Sequence, residues 1–143
     1  MPRDALVAAG GFDETLRVWE DWELLIRLSA RLKIRLLADA MVISPVSGDG
    51  ISREQDRFIH AMERILEKHA GPLARQPAVL AQLKYAQGRL LGSAGRGDAA
   101  RAALVQALRL RPLHWRAAAL LVASLVTGAR GLQDLLALVE RGR

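Results

Sequence analysis

A chain of 143 residues, 51% hydrophobic and 25% charged, carries enough apolar material to bury a core in one modest domain or two small lobes, which excludes a wholly disordered polymer. Without cysteine it has neither a disulfide framework nor a thiolate metal site, and Arg3 and Asp4 interrupt any apolar leader at the start. The longest uncharged apolar run, residues 117–126, falls well short of the roughly 20 residues that span a bilayer, so a cytoplasmic setting is the expectation. The net charge of +6 is unevenly spread. Residues 1–70 hold ten Lys and Arg against twelve Asp and Glu, residues 71–143 eleven against three, giving halves of about −2 and +8.

In chain order, Gly10-Gly11 predicts a sharp reversal, because only glycine adopts the required backbone angles freely. A helix is predicted over residues 21–32, with Asp21 as N-cap or first-turn residue and Leu25, Leu28 and Leu32 at core spacing. Glu23 stands four residues before Arg27, which suggests a solvated far face. Residues 34–38 and 41–44 read as two short strands. Gly48-Asp49-Gly50 reads as a turn rather than a metal ligand. A helix over residues 53–69 places Phe58, Met62, Ile65 and Leu66 on one face, and Gly71-Pro72 breaks it, dividing the chain into lobes 1–70 and 71–143.

The second lobe is expected to be wholly helical, with helices over residues 79–91, 98–110, 113–127 and 131–140, punctuated by Gly95-Arg96-Gly97, Pro112 and Gly128. Asp98 is the predicted N-cap of the second, and Tyr85 and Trp115 are expected in core or inter-helix packing. His60, His69 and His114 have no zinc spacing, and His114 reads as a helix-start residue.

Gly10-Gly11-Phe12-Asp13-Glu14, a short spacer, Trp19-Glu20-Asp21-Trp22-Glu23-Leu24 and an apolar helix together resemble the acceptor-side half of family 2 glycosyltransferases of the GT-A fold. The resemblance covers roughly the first half of the chain. It implies that Asp21 is the general base, taking the proton of the acceptor hydroxyl as that oxygen attacks the anomeric carbon of a nucleotide sugar with inversion. Glu20, Trp22, Asp13 and Glu14 would shape the acceptor pocket, with packed Trp22 and Leu25 making the helix start rigid. Taken alone, Asp21 as a cap and Glu20 as a favourable first-turn charge would account for both residues. The joint pattern favours the catalytic reading.

The family's donor-binding half has no counterpart in this chain. The divalent metal (Mg or Mn) implied by the resemblance would need an Asp-x-Asp motif, which is absent. Pro45 and Ser47 stand where many relatives carry Arg and His, and Arg53 and Arg57 read as solvent-exposed helix residues. Tyr85-Ala86-x-Gly88, Gly95, Ala99-Ala100, Ala107-Leu108 and Pro112 resemble one tetratricopeptide repeat, in which small residues let paired helices approach.

The expectation is therefore a mainly α chain, an α+β fragment. Its first lobe would be a partial GT-A acceptor-side lobe with one or two short strands, its second an all-helical, tetratricopeptide-like lobe. Alone it should not catalyse transfer; nucleotide sugar and acceptor would bind only with a donor half. The alternative is a helical protein-interaction module. Arg89, Arg96, Arg101, Arg109, Arg111 and Arg116 suggest either a solvated basic face or peripheral association with anionic lipid, and no nucleic-acid motif accompanies them. Apolar surface left by the absent sheet suggests self-association.

Overall fold

The computed structural model describes residues 3–34 and 51–141. Seven helices occur among them: α1 (Arg3–Ala8), α2 (Glu20–Ser29), α3 (Ile51–Lys68), α4 (Ala70–Ala74), α5 (Pro77–Ser93), α6 (Gly97–Leu110) and α7 (Trp115–Arg141). No strand occurs among the described residues. The expected strands lie outside them except for Ile34, which is in no regular element, so the partial sheet is not seen. The chain divides into two compact units, Met1–Arg57 and Phe58–Arg143, with the boundary inside α3.

In the first unit, α1 ends in a loop in which Gly10 and Gly11 both take positive φ, 83° and 69°. The reversal expected at this pair is thus built from two consecutive left-handed residues, which a side chain would strain. The loop leads into α2, whose N-cap is Trp19, so that Asp21 takes the first-turn position, the second of its two expected places. Trp19 sits at φ 61° and ψ 20°, with no side-chain cap to the helix. Leu16, Leu24 and Leu28 are buried. Leu25 and Leu32, expected in the core, are 48% and 40% exposed. Leu28 is thus in the core as expected, but Leu24 one turn before it takes the inward position expected of Leu25, and Leu32 lies beyond the end of α2 at Ser29.

In the second unit, α3 buries Ile59, Ala61, Met62 and Ile65, while Phe58 and Leu66 are half-buried. The core is built from Leu91 of α5, Ala100, Ala103, Leu104 and Ala107 of α6, Ala117, Leu120, Leu132 and Leu136 of α7, and Ile59 of α3. α5 and α6 form a hairpin across residues 94–96. It closes tightly because Gly88 faces Leu104: a Cβ at Gly88 would lie 2.8 Å from Leu104 Cγ and 3.2 Å from the Ala100 carbonyl oxygen. The missing side chain lets Leu104 be fully buried, a contribution of about 1.5–3 kcal/mol for a side chain of that size.

Asp98 is a first-turn residue of α6, not its N-cap; Arg96 is the cap, and Asp98 pairs with Arg101 one turn on. At the start of α7 the ring of His114 replaces the usual capping hydroxyl. The Ala117 N–H donates to His114 Nδ1 at 3.2 Å, so Nε2 carries the proton and donates to Gln82 Oε1 at 3.1 Å. Tyr85 packs on this ring, centroids 4.9 Å apart, and against the core. Trp115, by contrast, is 71% exposed, contrary to the expectation of packing.

α7 is broken at Gly128, where φ 70° and ψ −172° belong to a region almost closed to residues with a side chain. The break lets the second arm return to the hairpin. Leu132 and Leu136 then pack against Gly92 of α5, where an added Cβ would lie 3.1 and 2.9 Å from their methyl carbons.

Candidate functional site

The residues singled out by the sequence lie on α2 and on the loop before it, all in the first unit. One arginine ties α2 to the glycine turn. Arg27 Nε donates to both carboxylate oxygens of Glu23 at 2.9 Å, and Nη2 donates to Glu23 Oε2 at 2.6 Å and to the Gly11 carbonyl at 2.7 Å. Nη1 donates to the Ala9 carbonyl, and one turn on Arg31 Nη1 donates to the Ala8 carbonyl at 2.6 Å. Two guanidinium groups thus satisfy carbonyls that the end of α1 and the glycine turn leave without helical partners.

Glu23 is fully buried and the Arg27 side chain is only 20% exposed. The far face expected to be solvated is therefore an inward polar hub. In sequence, Glu23 and Arg27 look like any surface pair four residues apart. The signal that could have shown otherwise is that Arg27 and Arg31 share a helical face with Leu24 and Leu28.

This hub also supplies the rigidity assigned in sequence to packed Trp22 and Leu25. Both of those are exposed, Trp22 at 56%. With Ile26 and Ser29 they line a shallow, apolar hollow of about 190 Å³ on the outer side of α2. Ligand pockets that engulf a drug-sized molecule run to roughly 300–1,000 Å³. The hollow therefore suits one face of a ring or a short apolar group, not an enclosed nucleotide.

Asp21 is exposed in the first turn of α2, and its Oδ1 accepts the Trp22 N–H at 2.7 Å. Glu20 beside it is half-buried. The residue before this pair, Trp19, is held in the left-handed region, a conformation that costs a non-glycine residue on the order of 1–2 kcal/mol. Asp13 Oδ1 accepts from the Thr15 N–H at 3.1 Å and from Thr15 Oγ1 at 2.6 Å, so this carboxylate shapes the loop, while Glu14 is exposed. The structure thus joins the Gly10-Gly11 turn to α2 through Arg27 and places Asp21 next to Trp22 at the mouth of α2. It turns Asp13 into its own loop.

Among the described residues no three His, Asp or Glu side chains gather as a metal-ligand set. The divalent ion that the sequence resemblance implies thus has no ligand set among the described residues, and no chemistry is routed through one. No described helix is long and apolar enough to cross a membrane. Compared with protein-family profiles, with curated proteins and with solved structures, the chain finds no match in any of the three.

Proposed function

We propose that residues 1–70 are the acceptor-side portion of an inverting, nucleotide-sugar-dependent glycosyltransferase of the family 2 type, with Asp21 as its general base. The Asp21 carboxylate takes the proton of the acceptor hydroxyl. That oxygen forms its bond to the anomeric carbon from the face opposite the leaving nucleotide, which departs with the electron pair of the broken glycosidic bond. Proton removal of this kind contributes typically 10²–10⁴-fold to rate, provided the base is fixed within hydrogen-bond reach.

The observation that supports this reading most is the Arg27 hub. It makes the GGFDE turn and the EDW helix one rigid piece, with the Asp21 carboxylate facing solvent and Trp22 offering an apolar wall beside it. Glu20 and Trp22 on α2 serve as acceptor contacts together with Glu14 on the preceding loop, whose shape Asp13 holds through Thr15. Recognition of the nucleotide and its diphosphate, metal included, would fall to a donor-binding half, for which residues 1–143 carry no Asp-x-Asp motif.

A second reading, a helical interaction module, draws on the hairpin of α5 and α6 and on an exposed apolar face of α7. The two readings part at the DNA upstream of Met1. An open frame encoding a nucleotide-binding half with an Asp-x-Asp motif is the expected result. A stop codon directly upstream, with no donor half encoded nearby, overturns the glycosyltransferase reading in favour of the module.

A further inference from the structure

The first arm of α7 is apolar on two opposite sides. Ala117, Leu120 and Ser124 face the core, and no charge interrupts residues 117–129. On the opposite side Trp115, Val122 and Val126 follow one another at helical spacing with Leu125 alongside, exposed by 71%, 59%, 80% and 67%, and Leu113 just before the helix is 88% exposed. A helix with apolar residues all round has a second apolar environment to meet besides the core it already packs on. The charges around this face have one sign. From Ala99 to Gln133 the chain holds five arginines and no acidic residue. Arg111, Arg116 and Arg130 are exposed at the two ends of the arm, and the Arg116 guanidinium lies 5.3 Å from the Trp115 ring centroid.

We propose that this face docks on an anionic lipid bilayer, lying in the plane of the headgroups with Trp115, Val122, Leu125 and Val126 inserted and the arginines against the lipid phosphates. The inference is independent of the glycosyltransferase reading. Two features select a bilayer over a second copy of the chain. Pairing two such faces would bring arginines against arginines, whereas anionic headgroups complement them, and basic residues near such a surface each strengthen binding several-fold. The exposed apolar side chains are also carried by one helix, and a fluid interface accepts a single helix face without shape complementarity. A tryptophan at the polar end of an apolar helix face, with a guanidinium over its ring, suits the boundary between headgroup and acyl chain.

The test is co-sedimentation of the full chain with vesicles of phosphatidylcholine alone and of phosphatidylcholine with roughly one-third phosphatidylglycerol, at low and high salt. Binding to the anionic vesicles is expected, weakened by salt, with a blue shift of tryptophan emission that disappears in Trp115→Phe. Val122→Asp with Val126→Asp should lower vesicle binding by at least about tenfold, since both side chains would have to enter the acyl boundary. Both positions are exposed, so circular dichroism should stay unchanged; Leu125→Ser with Val126→Ser repeats the test with uncharged replacements. Equal binding to neutral and anionic vesicles, binding unaffected by both double variants, or a dimer in light scattering that the variants dissolve without any vesicle binding would each overturn the proposal.

Discussion

The two units hold themselves together by different means. In the first, short helices and a glycine turn converge on a buried ion pair, Glu23 with Arg27, whose remaining donors serve the carbonyls of Ala9 and Gly11. In the second, small residues allow close approach: Gly88 under Leu104, and Gly92 under Leu132 and Leu136. The first unit stakes its geometry on one polar hub beside an exposed carboxylate, and the second distributes its stability over many apolar contacts. A hub can be broken by one substitution. A distributed core yields by degrees.

The largest expected effect follows from Arg27→Ala, which takes from the buried Glu23 carboxylate the guanidinium it pairs with. Breaking such a pair costs roughly 3–5 kcal/mol, and the partial exposure of Arg27 puts the expectation near the lower end. Urea unfolding in a Trp115→Phe background reads this in the first unit, because the remaining tryptophans, Trp19 and Trp22, both lie there. Replacing Glu23 and Arg27 together by leucine should cost less than Arg27→Ala alone; an equal or greater loss would show that the backbone carbonyls, not the buried charge, dominate.

Gly128→Ala comes next. It puts a side chain into a backbone region essentially reserved for glycine, at a cost of about 1–3 kcal/mol. The loss should appear in the second unit, with faster amide exchange at Leu132 and Leu136. If exchange there is unchanged, the break in α7 does not hold its second arm in place.

Gly88→Ala is expected to cost about 1 kcal/mol. The clash with Leu104 and the Ala100 carbonyl is worth roughly 1–3 kcal/mol, and the better helix propensity of alanine returns up to about 1. Thermal unfolding that shows a gain would mean the hairpin can open without loss.

The smallest effect is at Lys84, whose Nζ donates to Gln87 Oε1 at 3.1 Å. Burial holds its ammonium below the ordinary lysine value, while Glu63 pulls it back up. Between the lowered folded value and the ordinary unfolded one the unfolded chain binds more protons, so this group makes the fold more stable as pH rises through that window. Lys84→Met should flatten that slope and leave stability at neutral pH unchanged or slightly raised. A slope identical in wild type and variant would assign it to other groups.

Much of the second unit was legible in sequence because its helices are long and its breaks are glycines. The helices expected over residues 79–91 and 98–110 appear as Pro77–Ser93 and Gly97–Leu110, and Gly128 interrupts α7 as its composition suggested. The errors have physical causes. Asp98 looks like a cap, but α6 starts at Gly97, one residue earlier, which leaves Asp98 to pair with Arg101. Trp115 looks like core by residue type, yet it lies on the side of α7 away from Ala117 and Leu120. In the first unit the position of Asp21 at the mouth of a helix was legible. What fixes it there was not, since a pair four residues apart reads the same whether it is solvated or buried, and only tertiary packing decides.

The most direct test of the central claim is the rate of sugar transfer by this chain joined to its donor-binding half, wild type against Asp21→Asn, at matched concentrations of folded protein. The expected result is a fall in kcat of at least roughly 10²-fold with an unchanged melting temperature, since Asp21 is exposed and its carboxylate accepts the N–H of its neighbour Trp22 rather than a group from elsewhere in the described fold. Transfer retained in Asp21→Asn would contradict it and leave Asp21 as the first-turn residue of a structural helix.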